Sequence, residues 1–196
     1  VVIFLSRHKA ASGNPSLTVH PIGNFTQAPY GGQPGRVVPT HPGWMLGMLE
    51  HLKEHGPDGY DVCYEATHHG PWLELPTCFL ELGSTEEQWA DEAAAGVLAD
   101  AVLETEPAQA PTVLWVGGGH YCPQVTDLAL AGELMPGHII PNWAIEGSIT
   151  DETLEEAVEA TPGCQGYVLQ RNATNGEQKV AERLEALGVP AFELDA

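Results

Sequence analysis

The chain has 196 residues, 43% of them hydrophobic, and its 27 acidic and seven basic residues give a formal net charge of −20. This size suits a single domain that buries its own core, and no apolar run approaches the roughly 20 residues of a membrane span, so we expect a cytoplasmic protein without a membrane partner. Such a charge destabilises a compact chain unless molar salt shortens the screening length to about 3 Å. We therefore interpret the composition as halophilic; an acidic protein with basic partners is the alternative.

Apolar β-rich segments alternate with helical patterns along the chain. The sequence predicts strands at 1–6, 17–20, 60–67, 77–83, 112–118, 138–141, 166–170 and 191–194. It predicts helices at 44–55, 85–104 and 123–134, one from Asp151 and one ending at Leu187, with capping boxes of Ser84 with Glu87 and of Thr174 with Glu177. The alternation is typical of a single α/β domain over 1–196, with a mixed, largely parallel sheet flanked by helices. Because the chain enters a strand at once and lacks an initiator Met, we expect upstream residues of a longer protein to be missing.

Histidines follow the ends of several predicted strands. The five are His8, His20, His68, His69 and His120. Ligands of open α/β sheets gather at the carboxyl ends of the strands, so we expect a site where these imidazoles meet. The stretch 7–42, rich in Gly, Pro, Asn and Ser, is longer than an ordinary connection and predicts a functional loop over the sheet edge.

The segment EATHHGP (65–71) places a carboxylate and two imidazoles on one turn. With His20 and His120, these side chains offer enough ligands for a catalytic zinc, which typically takes three protein ligands and a water. Adjacent residues of an extended chain point to opposite sides, so we predict that His68 and His69 do not share one metal and that one of them carries protons. The alternative is that both histidines only satisfy backbone carbonyls at a strand end.

The segment WVGGGHY (115–121) is the second candidate for a ligand site. Three glycines after a strand allow a ligand to approach the backbone and leave N–H groups for an oxyanion or a phosphate, and Tyr121 offers a ring on which a base can stack. The pattern matches neither G-x-G-x-x-G nor a P-loop, so a tight turn without a ligand is an equal alternative.

Both segments, together with SRH (6–8), PSLTVHPIGN (15–24), ELGSTEEQW (81–89) and GHIIPNW (137–143), resemble the archaeal and plant type of D-aminoacyl-tRNA deacylase, the second type of D-tyrosyl-tRNA deacylase. The resemblance runs through nearly the whole chain. It implies an α/β fold, zinc as cofactor, and hydrolysis of the ester that joins a D-amino acid to the 3′ end of tRNA, which is a proofreading reaction. One departure is Asn142, where the family commonly has a lysine that could contact RNA.

The resemblance also implies a role for each site residue. Zinc would be held by His20, Glu65, His68 and His120; His69 and Glu81 would be catalytic; and Arg7, His8, Asn24, Gly117, Gly118, Gly119 and Tyr121 would contact the substrate. Water activated by the metal would attack the ester carbonyl, the metal or the glycine amides would hold the oxyanion, and His69 would pass a proton to the leaving ribose oxygen.

The partner implied by the resemblance is the 3′ end of a tRNA carrying a D-amino acid, with no DNA partner, and we expect a monomer. Two other functions stay open at this point. One is a metal-dependent hydrolase of small peptides or amides. The other is a metal-stabilised domain that binds RNA or a nucleotide without turnover.

Overall fold

The computed structural model describes residues 1–194 as an alternation of strands and helices. The elements in chain order are β1 (Val2–Arg7), β2 (Ser16–Pro21), β3 (Gly23–Asn24), β4 (Arg36–Val37), α1 (Pro42–His55), β5 (Asp61–Tyr64), β6 (Thr77–Gly83), α2 (Glu86–Trp89), α3 (Glu92–Glu104), β7 (Thr112–Val116), α4 (Pro123–Leu130), β8 (Met135–Ile140), α5 (Asn142–Glu146), α6 (Asp151–Glu159), β9 (Cys164–Leu169) and α7 (Asn175–Ala186). None of the helices in this described part is both long and apolar enough to cross a membrane.

The strands form two principal sheets. The first has the order β1-β6-β2-β5 and is mixed: β1 with β6 and β2 with β5 are parallel, whereas β2 and β6 are antiparallel. The second has the order β8-β7-β9 and is parallel throughout, and β3 and β4 form a separate antiparallel pair. The predicted α/β fold with mixed, largely parallel strand pairing is confirmed, although two sheets replace the one expected.

The two sheets are joined where the chain leaves β5. The backbone N–H of Ala66 donates to the carbonyl of His120 over 2.9 Å, and that of Thr67 donates to Ile139 over 3.0 Å. These bonds hold the segment after β5 against the segment after β7 and against β8. The carboxyl ends of β5 and β7, one from each sheet, therefore meet.

The core lies on both sides of the sheets. Helix α1 buries Met45, Met48, Leu49 and Leu52 completely, at the i, i+3, i+4 and i+7 spacing of one helix face. This face belongs to a buried cluster that includes side chains of β2 and β6. All five residues of β7 are buried, as expected for a central parallel strand covered on both faces. Burying a large apolar side chain contributes about 1.5–3 kcal/mol, so the core holds the strand ends rigidly in place.

The predicted helix over 85–104 is two helices. The side chain of Asp91 accepts hydrogen bonds from the N–H groups of Ala93 and Ala94 and so caps a new helix, α3, inside the predicted one. The capping box that opens α2 joins Thr85 with Gln88, so the prediction of Ser84 with Glu87 is wrong.

The remaining boundary predictions differ less. The capping box of Thr174 with Glu177 is confirmed. The segment 191–194 makes only a single β-bridge, between Tyr167 and Ala191, in place of the predicted strand.

Candidate active site

A cavity of about 740 Å³ opens beside the junction of the two sheets. Sequence-predicted residues on its wall are Arg7, His8, Asn24, His68, His69, Glu81 and His120. Their elements are distant along the chain. Glu81 lies within β6, beside the antiparallel strand β2 that carries His20, and His68 and His120 lie on the segments after β5 and β7, which are hydrogen-bonded to each other. The predicted histidines come together, but not at a common carboxyl-terminal edge: β1 and β2 pair with β6 in opposite directions, so their carboxyl ends lie at opposite ends of the first sheet.

The carboxylate of Glu65 is completely buried among three imidazoles. Its Oε1 atom lies 3.3 Å from Nδ1 of His8, and its Oε2 atom lies 3.6 Å from Nε2 of His68 and 3.1 Å from Nε2 of His120. Neither oxygen makes a well-aligned hydrogen bond within the described part of the chain. Burial of an anion without such bonds is costly, so these oxygens are suited to receive a cation or a reacting group.

A second buried carboxylate, Glu81, shares His8 with Glu65. Nδ1 of His8 lies 3.3 Å from Oε2 of Glu81, and Nε2 of the same ring lies 2.8 Å from the hydroxyl of Tyr121. Burial lowers the pKa of His8, but the hydrogen bond to Glu81 and the charges of both carboxylates outweigh it, so the net pKa is raised. His8 thus lies between the two anions, and in its protonated form it would compensate part of their charge.

His20 and His68 each engage one ring nitrogen with the backbone. Nδ1 of His20 lies 3.0 Å from the carbonyl of Pro21, and Nδ1 of His68 lies 2.7 Å from that of Ala66, so each Nδ1 donates and Nε2 is the unprotonated acceptor. Burial, aided by neighbouring imidazoles, lowers the pKa of His20 strongly and that of His68 to about 3. Both rings are therefore neutral at pH 7, which is the form that binds metals.

His69 lies on the same side as His68. The two ring centroids are 4.2 Å apart, and the His69 ring is 5.1 Å from that of His20. The prediction that His68 and His69 point to opposite sides is wrong because the chain is not extended here: φ is +29° at His69 and +94° at Gly70. Burial lowers the pKa of His69, and the charge of Glu81, which acts in the opposite direction, does not offset it. The lowered pKa favours a neutral ring.

Three overlapping groups of donor atoms have the spacing of a metal site. Within each group the donor atoms lie within 4.8 Å of one another; the groups are His20 with His68 and His69, His8 with Glu65 and His120, and His20 with Glu65 and Glu81. The predicted ligands His20, Glu65, His68 and His120 are distributed over these groups and do not form one of them. Imidazole nitrogens and carboxylate oxygens suit zinc, and the unpartnered Nε2 of His20 and both oxygens of Glu65 fit such an ion.

The glycine turn lies behind the cavity wall. The N–H of Gly117 donates to the carbonyl of Ile140 over 2.8 Å, and that of Gly118 donates to Oδ1 of Asn142 over 3.2 Å. Gly117, Gly118 and Gly119 are absent from the cavity lining within residues 1–194, and a side chain at Gly117 would collide with Glu177. The expectation that these amides face the substrate is therefore not met, because two of the three are already paired.

Tyr121 also lies behind the wall. Its hydroxyl contacts His8, and its ring lines a second cavity of about 450 Å³ on the far side of that contact. It is not among the residues, in the part of the chain described, that line the first cavity. The Tyr121 ring packs edge-on against His8 and His120, so its contact with a base stays a prediction.

Several residues of the cavity wall were not singled out from the sequence. They are Lys9, Gly23, Phe25, Thr26, Gln27, Pro29, Tyr30, Thr67, Trp143 and Ala144. Most of them belong to the stretch 7–42, which was predicted to be functional as a whole but whose irregular backbone gives no periodicity that would select individual residues. Trp143 could have been found from the sequence, because it ends the segment GHIIPNW, one of those that resemble the family.

A scan of family models matches residues 1–191 to the D-aminoacyl-tRNA deacylase family. A D-aminoacyl-tRNA deacylase of Methanoculleus marisnigri is 38% identical over 185 residues, which is 94% of this chain and 42% of the relative. One of Thermoplasma volcanium is 37% identical over 174 residues, covering 88% of this chain and 68% of the relative. The chain therefore spans about two fifths of the length of the first relative.

The fold also matches a solved structure. The crystal structure of a conserved protein of unknown function superposes with a TM-score of 0.87 at 32% identity, covering 96% of this chain and 69% of the other.

Proposed function

The chain belongs to the D-aminoacyl-tRNA deacylase family, and on that premise we propose that it hydrolyses the ester between a D-amino acid and the 3′ end of tRNA, releasing free D-amino acid and tRNA. The observation that carries the proposal is the pair of buried carboxylates, Glu65 and Glu81, which contact imidazoles that line the cavity. The family favours neither a peptide or amide hydrolase nor a binding module without turnover. Because the chain spans only part of its relatives, the activity, the substrate and the partner all remain proposals.

The proposal includes zinc as cofactor. His20, Glu65, His68 and His120 would hold it, since their donor atoms belong to groups with the spacing of a metal site and two of these residues have buried atoms without a partner. When bound, zinc would polarise the ester carbonyl and make water a better nucleophile at neutral pH. The hydrogen bonds from His20 to Pro21 and from His68 to Ala66 fix the tautomer of each ligand.

His69 and Glu81 are the catalytic residues of the proposal. His69 lines the cavity, and its lowered pKa keeps the ring neutral near pH 7, so that it can accept a proton and deliver it to the leaving ribose oxygen. Glu81 lines the same cavity and holds Nδ1 of His8, and its negative charge would stabilise His69 while that ring carries the proton. Every side chain of the cluster comes from one copy of the chain, so a monomer would suffice.

The size of the cavity limits what can enter it. Volumes of about 300–1,000 Å³ accommodate ligands of the size of a drug or a cofactor. An aminoacylated terminal nucleoside fits that range, whereas an RNA helix does not. The proposed contacts to this end are Arg7 and Asn24 on the cavity wall.

The experiment uses tRNA charged with D-tyrosine or with L-tyrosine, in KCl at which circular dichroism reports the native fold. We expect release of D-tyrosine and survival of the L-ester over the same time. A His55→Ala variant, altered on the exposed end of α1, serves as the control and should retain the activity. Equal hydrolysis of both esters, or cleavage of small amides with both esters intact, would contradict the proposal.

A further inference from the structure

An exposed tryptophan lies on the wall of the cavity. Trp143, the second residue of α5, is 42% exposed and lines the cavity. Its ring centroid is 6.3 Å from that of His120, with an angle of 34° between the planes. A large, accessible ring beside the reacting cluster is suited to stack on a flat ligand group such as a base.

The glycine turn holds Trp143 in this position. The N–H of Gly118 donates to Oδ1 of Asn142, and the N–H of Asn142 donates to the carbonyl of Gly118 over 3.0 Å. Ala144, on the other side of the tryptophan in sequence, is buried. The glycine turn after β7 thus ends at His120, and its bonds to Asn142 hold the neighbouring Trp143 in place. This structural role accounts for the three glycines without any contact to a substrate.

Two of the seven basic residues lie on the same cavity wall. Arg7 and Lys9 line the cavity, whereas Arg36 and Arg183 pair with Glu156 and Asp151 elsewhere. The guanidinium carbon of Arg7 is 5.0 Å from the ring centroid of Trp89. Neither Arg7 nor Lys9 forms an ion pair within residues 1–194, so both charges are available to an anion.

The cationic and aromatic residues flank the histidine cluster. Arg7 precedes His8 in the chain, Trp143 adjoins His120, and the rings of His8 and His120 are stacked 5.3 Å apart. Arg7 and Trp143 line the same cavity as His8 and His120, so a ligand that contacts both lies beside the cluster. Arg7 and Lys9 are exposed on this wall, whereas its carboxylate, Glu81, is buried against His8, so the charge offered to a ligand at the surface of the wall is positive.

We propose that this part of the cavity is a subsite for the 3′-terminal nucleotide of RNA. Its base stacks on Trp143, its 5′ phosphate contacts Arg7 and Lys9, and its ribose lies over the histidine cluster. The subsite rests on the proposed function, which supplies the RNA end, and it assigns the stacking role to Trp143 in place of Tyr121. An exposed base is recognised here by stacking, which tolerates any base with a flat face.

The test compares two probes: the RNA dinucleotide cytidylyl-adenosine, and the same molecule with an abasic ribose at its 3′ end. The wild type should bind the first more tightly by about 5- to 150-fold, the range that stacking on an aromatic ring supplies. Trp143→Ala should abolish this preference and Trp143→Phe should keep most of it. Arg7→Ala should weaken both probes equally and reduce the slope of log affinity against log salt by about 0.7.

The chain offers a matched control at Arg36 and Trp72. There the guanidinium carbon is 5.1 Å from the indole centroid, nearly as at Arg7, but both residues line a different cavity. Arg36→Ala and Trp72→Ala should bind both probes as the wild type does. Equal affinity of the wild type for the two probes, an unchanged preference in Trp143→Ala, or binding of neither probe overturns the subsite.

The same preparations are assayed for release of D-tyrosine from its tRNA ester, which separates the two ideas. Hydrolysis without any preference for the base-bearing probe refutes the subsite and leaves the proposed function standing. A preference that depends on Trp143, without hydrolysis, supports the subsite and contradicts the proposed function.

Discussion

The Oε2 atom of Glu65 lies 3.1 Å from Nε2 of His120; the carboxylate is fully buried, whereas the imidazole is 36% exposed to the cavity. The buried charge of Glu65 thus lies against the imidazole of His120, which a substrate in the cavity can reach. Such an arrangement costs stability unless a cation balances it, and this cost is typical of sites that favour function over stability.

A first prediction compares two fully buried glutamates. Both oxygens of Glu177 accept hydrogen bonds, from the amide of Gln170 and the N–H of Thr174, whereas the oxygens of Glu65 have no well-aligned donor. In chelated protein, Glu65→Gln should change the free energy of unfolding by less than about 1 kcal/mol or raise it, because removing an uncompensated charge relieves a penalty. Glu177→Gln should lower it by about 1–3 kcal/mol, because one of the two satisfied acceptors is replaced by an NH₂ group that faces a donor.

The two variants should differ in the opposite way in activity: Glu65→Gln should lose it and Glu177→Gln should keep it. Glu65→Gln should reduce release of D-tyrosine by about 100-fold or more, as expected when a charged group of the reacting cluster is neutralised. Glu177→Gln should retain the activity at temperatures where it is folded. Urea unfolding and the ester assay together decide the matter, and a Glu65→Gln protein that is strongly destabilised yet active would show that the carboxylate is structural.

A second prediction concerns the metal. Because the donor atoms of His20, His68 and His69 lie within 4.8 Å of one another, His69→Ala should lower the zinc content of the purified protein together with its activity if this group holds the ion. If the ion is held by the ligands carried over from the family, His69→Ala should keep its zinc while His68→Ala loses it. Metal analysis of both variants distinguishes the two outcomes, and full activity of the wild type after chelation would refute zinc dependence.

A third prediction follows from His138, which is completely buried in β8. Its Nε2 donates to the carbonyl of Val38, and its Nδ1 accepts from the hydroxyl of Thr67, both over 3.1 Å. That hydroxyl also accepts from the N–H of Ile139, so its proton is directed to the ring. Burial lowers the pKa of His138 to about 3, since protonation would leave a charge without water.

The sign of the pH effect follows from this shift. Between about pH 6.5, the usual value for the unfolded chain, and about pH 3, the unfolded state binds a proton at His138 that the folded state does not. Stability is therefore lost as the pH falls, by about 1.4 kcal/mol per pH unit from this residue. His138→Gln, although less stable at pH 7, should show an unfolding free energy that falls less steeply by that amount between pH 6 and 4.5. Parallel curves for the variant and the wild type would contradict the prediction.

Much of the fold could be predicted because hydrophobic patterning decides it. Strand β6 has its predicted bounds, since TCFLELG is apolar and lies between Pro76 and a Gly-Ser turn. The sequence also singled out the histidines that come together, but the rule that ligands gather where parallel strands end does not explain it, because β1 and β2 run in opposite directions. The break inside the predicted helix 85–104 could not be predicted, since the pattern continues through Asp91 and only the competing cap bonds reveal a second start.

The details of the site depend on backbone conformations that periodicity does not encode. The turn at His69, with its positive φ, reverses the expected direction of one imidazole. The glycines of WVGGGHY were assigned to a ligand, but their N–H groups bond to Ile140 and Asn142, which are distant in sequence. Such pairings depend on tertiary packing, so the residue types alone could suggest a site here without indicating its orientation.

A last prediction concerns salt, because a chain with net charge −20 must approach a polyanion. Raising KCl from about 0.2 M to 2 M should increase the free energy of unfolding, since the screening length falls to about 3 Å near 1 M and self-repulsion disappears. An ordinary RNA-binding protein loses affinity with a log–log slope of roughly −0.7 for each single-strand phosphate contact. Here only Arg7 and Lys9 are offered to the RNA end, and repulsion between the two bodies declines over the same range.

Affinity for whole tRNA should therefore stay level or rise with KCl wherever circular dichroism reports the native fold. The dinucleotide cytidylyl-adenosine is the control, because it has no large charged body and should weaken modestly as salt screens its contacts. The difference between the two slopes measures the repulsion between protein and tRNA, since both ligands share the same terminal nucleotide. A steep fall in tRNA affinity over this range would mean that further basic residues contact the phosphates, and that the 3′ end is not the principal contact.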